Sequence, residues 1–90
     1  MPYKTIPAHV FHVQDAGGRR YKVTRYAWLE NLAAEGQPEK WNEFWHLLLT
    51  ENGGIVDPVE DDERHFVIDG TGTEVALVEG ETAGQPVVAA

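Results

Sequence analysis

The sequence predicts a single small α+β domain, in which two short helices pack on one face of an antiparallel or mixed sheet of about five short strands. Three observations predict this class. Apolar and polar residues alternate near both ends of the folded part, the apolar spacing changes to about 3.6 residues in the middle, and glycine-rich turns separate the segments. The predicted order is strand, strand, helix, helix, strand, strand, strand, because strands on both sides of a helical insertion are typical of α+β domains.

The first two strands are predicted to form a hairpin around residues 16–18. A three-residue loop places the apolar residues of both strands on one face and the polar residues on the other, and register follows the buried face. The predicted pairs are Phe11 with Val23 and Val13 with Tyr21 on the apolar face, and His12 with Lys22 and Gln14 with Arg20 on the polar face.

Two helices are predicted between residues 24 and 52. The first starts at a Thr24 cap and ends at Gly36, which can adopt a left-handed conformation. Pro38 suits the first turn of the second helix. The apolar residues of the second helix lie at the spacing of one buried stripe: Trp41, Phe44, Trp45 and Leu48. We therefore expect all three tryptophans, Trp28 included, to lie between the helices and the sheet.

The remaining residues are predicted to be extended. A strand at Ile55 and Val56 leads into Pro58, which confines it to an edge or a strand end. A second hairpin is predicted from residues 65–69 and 74–78, with Phe66 opposite Leu77 and Ile68 opposite Val75. The domain then covers residues 1–78, and residues 79–90 are predicted to form a mobile C-terminal tail, because they are small, polar or Gly and Pro.

Charge is distributed unevenly along the chain. Fifteen acidic and seven basic residues among 90 give a formal net charge of -8. Up to Leu29 there are five basic residues and one acid, a charge of +4, and from Glu30 onward there are fourteen acids and two basic residues, a charge of -12. The candidate interaction residues of the basic segment are His12, Arg19, Arg20, Lys22 and Arg25. The candidate acidic surface consists of Asp57, Glu60, Asp61, Asp62 and Glu63.

The residue types of common active sites are missing from the sequence. It contains no serine and no cysteine, which removes the two commonest nucleophiles and thiolate zinc ligands. His9 and His12, three apart on a strand, point to opposite faces and cannot easily share a metal ion. The acidic stretch lacks the spacing of a calcium loop. We therefore expect no catalytic activity, no cofactor and no metal.

The first residues contain no apolar stretch of signal-peptide length, and no apolar run is long enough to span a membrane. Together with the missing cysteines, this predicts a cytoplasmic protein without a membrane partner.

One part of the chain resembles a known group of proteins. Residues 53–62 (GGIVDPVEDD), 65–68 (HFVI) and 71–75 (TGTEV) resemble the short C-terminal hairpin of small uncharacterised proteins from bacterial phages and prophages. The resemblance covers roughly a quarter of the chain and implies a bacterial or phage-related accessory protein of the cytoplasm. It assigns no functional residues.

These observations predict a noncatalytic interaction module that binds a protein partner or another copy of itself. Two alternatives follow from the divided charge. The acidic half could imitate a nucleic-acid backbone for a basic protein, or the basic hairpin could contact nucleic acid directly. The sequence leaves open whether the two charged segments lie together in space.

Overall fold

The computed structural model describes residues 2–88, and within them the chain forms six antiparallel strands and no helix. The strands are β1 (Tyr3–Asp15), β2 (Arg20–Asn31), β3 (Trp41–Thr50), β4 (Val56–Val59), β5 (Asp62–Ile68) and β6 (Thr73–Leu77). Their order in the sheet is β3-β2-β1-β6-β5-β4, and a bridge between Leu49 and Ile55 returns β4 to β3. The result is a nearly closed, barrel-like, all-β sheet. The predicted α+β class, with its two helices, is wrong.

The first predicted helix is replaced by β2. Every second residue from Tyr21 to Leu29 faces the same side of this strand, and four of the five are buried: Val23, Arg25, Ala27 and Leu29. Arg25 interrupts the apolar series, so the alternation is hard to see in the sequence. Trp28 and Leu29 are adjacent in sequence but point to opposite faces of the sheet. Two consecutive large apolar residues are also found in the apolar stripe of a helix, so the pair indicated a helix.

The second predicted helix is replaced by β3, which contains a β-bulge. Trp28 of β2 pairs with Trp45, but the next residue, Leu29, pairs with Glu43, so Phe44 is an extra residue in β3. An inserted residue shifts the two-residue alternation by one position. This shift produces the spacing of three and four residues that indicated a helix.

The first hairpin has the predicted register. Phe11 pairs with Val23 and His12 with Lys22. The Asp15 carboxylate accepts hydrogen bonds from the backbone N–H groups of Gly17 (3.0 Å) and Arg19 (2.9 Å) and thereby holds the turn. The Arg19 bond is the largest cause of the lowered pKa of Asp15.

The second hairpin is present, but its register differs from the predicted one by two residues. Phe66 pairs with Val75 and Ile68 with Thr73, so the turn consists of residues 69–72. A shift of two residues keeps each side chain on its original face. The residues predicted to face the core therefore still do so.

Unequal strand lengths make the molecule elongated, with extents of 53 × 24 × 20 Å. At one end all six strands surround a core of Phe11, Val13, Val23, Leu48, Val56, Phe66, Ile68 and Val75. β6 pairs with β1 only along residues 13–15, so at the other end β1, β2 and β3 continue as a three-stranded extension. We call this extension the arm (residues 3–10, 24–31 and 41–49). Its inner face is the side that continues the core, and its outer face is the opposite side.

The C-terminal segment lies across the inner face of the arm. His9 Nε2 is 2.8 Å from the carbonyl oxygen of Thr82. Further along, the Glu43 backbone N–H donates to the Val87 carbonyl (2.8 Å), and the Val87 N–H donates to Glu43 Oε1 (3.2 Å). These bonds connect the segment to both β1 and β3. Residues 89–90 of the predicted tail lie outside the described residues, and its mobility stays a prediction.

Candidate interaction surface

The outer face of the arm is unusually apolar for a surface that no described strand covers. Three rows of residues cross β1, β2 and β3 on this side: Thr5, Trp28 and Trp45; Pro7, Tyr26 and Leu47; Val10, Thr24 and Leu49. Tyr3 and the bulged Phe44 extend the surface at the far end. We call the apolar members of this set the aromatic face: Tyr3, Pro7, Val10, Tyr26, Trp28, Phe44, Trp45, Leu47 and Leu49.

Several large side chains of the aromatic face are more than half exposed. The exposed fractions are 57% for Tyr3, 55% for Phe44 and 53% for Trp45. Tyr3 and Phe44 meet edge to face, with ring centroids 5.9 Å apart, and Trp28 and Trp45 contact each other at 4.8 Å. The rings are thus held in place by one another and by a rigid sheet, which lowers the entropy that a partner would have to remove on binding.

The exposure of the tryptophans departs from the expectation that all three lie between helices and sheet. Trp45 is exposed, and Trp28 and Trp41 are half-buried. Trp41 lies on the inner side, where the Lys4 ammonium sits 4.0 Å from the centroid of its ring. The alternation of Tyr26, Trp28 and, after the bulge, Trp45, Leu47 and Leu49 is the sequence signal that could have revealed the outer face.

Three of the five candidate basic residues lie at the core end of the same outer surface. His12 and Lys22 pair in the row next to Val10 and Thr24, and Arg20 follows one row further. His12 Nδ1 is 2.9 Å from Glu81 Oε1, and the Arg20 Nε donates to the side chain of Gln14 (3.0 Å).

The other two candidate basic residues lie elsewhere. Arg19 belongs to the β1–β2 turn, with its guanidinium 5.2 Å from the centroid of the Tyr21 ring. Arg25 is 4% exposed on the inner face, where its guanidinium donates two hydrogen bonds of 2.6 Å to the Glu43 carboxylate. These bonds are the largest cause of the lowered pKa of Glu43. Arg25 is therefore occupied within the molecule and contributes no accessible charge.

The five candidate acidic residues lie together on the β4–β5 hairpin, with Glu60 and Asp61 at its tip. Asp61 has a positive φ of 63°, which tightens this turn. Asp62 Oδ2 is 2.6 Å from His65 Nδ1, and the Arg64 backbone N–H that donates to Asp62 is the largest cause of its lowered pKa. The acidic tip and the basic β1–β2 turn lie at opposite ends of β5, roughly 20 Å apart. No hydrogen bond or ion pair within residues 2–88 joins the five candidate basic residues to the five candidate acidic residues.

Comparisons with protein-family models, with curated proteins and with solved structures found no match. The resemblance to phage and prophage proteins stays a prediction. Since residues 2–88 contain no helix, that part of the chain offers none long and apolar enough to cross a membrane. In the same residues, no three His, Asp or Glu side chains cluster as metal ligands would.

The carboxylates whose pKa is lowered have hydrogen-bond partners within the fold. Four carboxylates of lowered pKa, Asp15, Glu43, Asp62 and Glu81, each accept hydrogen bonds that hold a turn, a strand pair or the C-terminal segment. The aromatic face presents rigid apolar rings with cations along one border. Such a surface can bind another apolar surface or stack against flat groups.

Proposed function

We propose that this chain is a noncatalytic interaction module that binds a protein partner or a second copy of itself through the aromatic face. The observation that carries this proposal is the exposure of Tyr3, Phe44 and Trp45 side by side on one rigid sheet surface. Large exposed apolar patches with a polar border are characteristic of interaction sites, and aromatic residues dominate the energy of such sites.

The size of the surface supports the proposal. Because an aromatic side chain buries about 150–250 Å², the exposed parts of Tyr3, Phe44 and Trp45 together offer roughly 300 Å². At about 25 cal/mol per Å², covering them would yield about 7 kcal/mol before the costs of association. Val10 (44% exposed) extends the same surface. An exposed apolar area of this size lowers the solubility of the chain unless a partner covers it.

The proposal is tested with two full-length variants that carry the same kind of change. Trp45→Lys places a charge in the aromatic face. Val59→Lys is the matched control, because Val59 is an exposed apolar residue on β4 that does not belong to the aromatic face. Wild-type protein and both variants are compared for self-association by sedimentation and for capture of proteins from a lysate of the source cells.

We expect wild-type protein and Val59→Lys to associate with the same species and Trp45→Lys to lose that association. Circular dichroism and urea unfolding show whether both variants keep the sheet. If Trp45→Lys, folded, behaves like Val59→Lys in self-association and in capture, the aromatic face is not a binding site and the proposal fails.

A second candidate function is binding of single-stranded nucleic acid on the same face. One observation favours it: Lys22 and Arg20 lie on the same outer surface as the aromatic rings, next to the row of Val10 and Thr24, and aromatic platforms bordered by cations stack with bases. Fluorescence anisotropy with labelled oligo-dT and oligo-rU tests this function. Salt-sensitive binding that is lost in Arg20→Glu/Lys22→Glu would support it, and no binding at low salt would exclude it.

Nucleic-acid mimicry by the acidic hairpin rests on charge alone. It would be supported by capture of a basic protein that is lost when Asp61, Asp62 and Glu63 are changed to amides. A cytoplasmic location is likewise a proposal, which the lack of cysteine supports.

A further inference from the structure

We infer that the partner on the aromatic face is a second copy of this chain, packed face to face and antiparallel about a two-fold axis that passes close to Tyr26. This inference rests on the proposed function of the same face. It goes further by specifying the occupant, its orientation and the residues that meet.

The order of charges along the outer face is self-complementary. Lys22 and Glu30 both point outward from β2, eight residues apart, and Tyr26 lies midway between them. A two-fold axis through the middle row therefore places Lys22 of each copy opposite Glu30 of the other. Neither side chain forms a hydrogen bond or an ion pair with another described residue, so both are available to a partner. Arg20, one row beyond Lys22, keeps that end of the face basic.

The sizes of the side chains are complementary in the same arrangement. On one side of the Tyr26 row lie Trp28 of β2 and Trp45 of β3, and the matching positions on the other side are Thr24 of β2 and Leu49 of β3. The two-fold rotation exchanges these rows. The bulky tryptophan pair of one copy is thus placed over the smaller side chains of the other, and the same contact occurs twice. A parallel arrangement would instead set tryptophans against tryptophans and Glu30 against Glu30.

The available area fits a reversible dimer. Three strands about 4.8 Å apart, with about 3.3 Å per residue along residues 24–31, give the arm a projected footprint of roughly 400 Å² per copy. Because protruding side chains make the surface uneven, the accessible area exceeds the projected area, and two copies bury about 1,000 Å² in total. This area is at the low end of specific interfaces. We therefore expect a micromolar dissociation constant.

Charge exchange tests the arrangement. Lys22→Glu sets the introduced carboxylate against Glu30 of the other copy at both ends of the dimer, and Glu30→Lys sets two ammonium groups against each other. The double variant Lys22→Glu/Glu30→Lys restores opposite charges. By sedimentation equilibrium from about 2 to about 200 µM, we expect each single variant to raise the dissociation constant about tenfold and the double variant to return it to the wild-type value. Glu63→Lys, a charge reversal on the acidic hairpin, serves as the control and should have no such effect.

Cross-linking provides a second measurement that does not depend on charge. The chain has no native cysteine, so a single introduced thiol reacts alone. Tyr26→Cys places that thiol near the proposed axis, and Val59→Cys places it on β4. With a short bismaleimide at micromolar protein, Tyr26→Cys should form covalent dimer and Val59→Cys should not.

The outcomes separate this inference from the proposed function. A wild-type chain that stays monomeric at the highest concentration overturns the second-copy inference, whereas Trp45-dependent capture of another protein would leave the proposed function standing. A dimer that is insensitive to both charge reversals, or that the double variant does not restore, overturns the antiparallel arrangement. Failure of self-association together with failure of capture overturns both.

Discussion

The buried ion pair between Arg25 and Glu43 should contribute more to the stability of this fold than any other pair of polar side chains among the described residues. Their side chains are 5% and 6% exposed and share two hydrogen bonds of 2.6 Å. Glu43 also holds the C-terminal segment through Val87. Removing Glu43 leaves the Arg25 charge buried without a counterion, and removing Arg25 leaves Glu43 with only His46, whose Nδ1 is 3.5 Å from Glu43 Oε2, as an ionisable neighbour.

The expected magnitude follows from that burial. Breaking a buried pair by removing one partner costs about 3–5 kcal/mol, because the desolvated charge that remains is no longer compensated. A chain of this length is stable by about 5–13 kcal/mol in total. Glu43→Leu and Arg25→Met should therefore each remove a large part of the stability. The double variant should be less destabilised than the sum of the two, since it leaves no unpaired charge.

The assay is equilibrium unfolding in urea, followed by tryptophan fluorescence and by circular dichroism. Free energies of unfolding of the wild type, the two single variants and the double variant form a double-mutant cycle. A control pair at the surface, His65→Ala and Asp62→Ala, should show a small coupling because both side chains are substantially exposed.

Two results would contradict this prediction. A loss below about 1 kcal/mol in either single variant would show that the charge left behind is solvated, contrary to the burial in the structure. Additive losses in the double variant would show that Arg25 and Glu43 do not stabilise each other.

Three further predictions concern pH and the backbone. The pKa of Glu43 is lowered in the folded chain from its ordinary value of 4.5. The contribution of Glu43 to the free energy of unfolding is therefore complete above pH 4.5 and is lost as the pH falls through the folded pKa. In urea unfolding between neutral and acid pH, Glu43→Gln should make the free energy of unfolding less dependent on pH. Gly84→Ala should destabilise the C-terminal segment more than Gly80→Ala does. Both glycines have a φ of +87°, but only a Cβ at Gly84 would come within 3.0 Å of the His9 ring. Equal rates of hydrogen exchange in the C-terminal segments of the two variants would contradict this. Asp61→Gly should raise the midpoint of thermal unfolding by relieving about 1 kcal/mol of left-handed strain, and an unchanged or lower midpoint would contradict this.

The hairpins were predictable because the information that specifies them is local. Around residues 16–18 the loop length and the alternation of Phe11, Val13, Tyr21 and Val23 permit one register that separates the faces. In the second hairpin two registers bury the same side chains, and the prediction chose the wrong one of them. Alternation could not distinguish them, because a shift of two residues leaves every side chain on its face.

The middle of the chain was not predictable by the same reasoning. Arg25 interrupts the apolar series on the buried side of β2. Its burial there depends on Glu43, which lies eighteen residues away on another strand. The bulge at Phe44 depends on how β3 pairs with β2, and it turns a two-residue pattern into one that resembles a helix. The Arg25–Glu43 ion pair and the β-bulge at Phe44 therefore made these segments strands, although the local apolar spacing indicated helices.

The candidate site was predictable only in its polar part. His12, Arg20 and Lys22 were expected on one solvent-facing side of the first hairpin, and they lie there. The aromatic face beside them was expected to be core. Both sides of β2 and β3 carry large apolar residues, so their sequence indicates two apolar faces and does not say which one will be covered.

Properties that reside in single residues and short turns follow from the amino-acid sequence alone: the net charge and its division, the lack of serine and cysteine, and the positions of the glycine-rich hairpin turns. The exposed side follows from packing between distant segments: β4, β5, β6 and the C-terminal segment cover the inner side of β1, β2 and β3 and leave the aromatic face exposed. Alternation in a strand assigns each residue to a side, but the side that becomes buried is set by what packs against it, and that depends on contacts between distant parts of the chain.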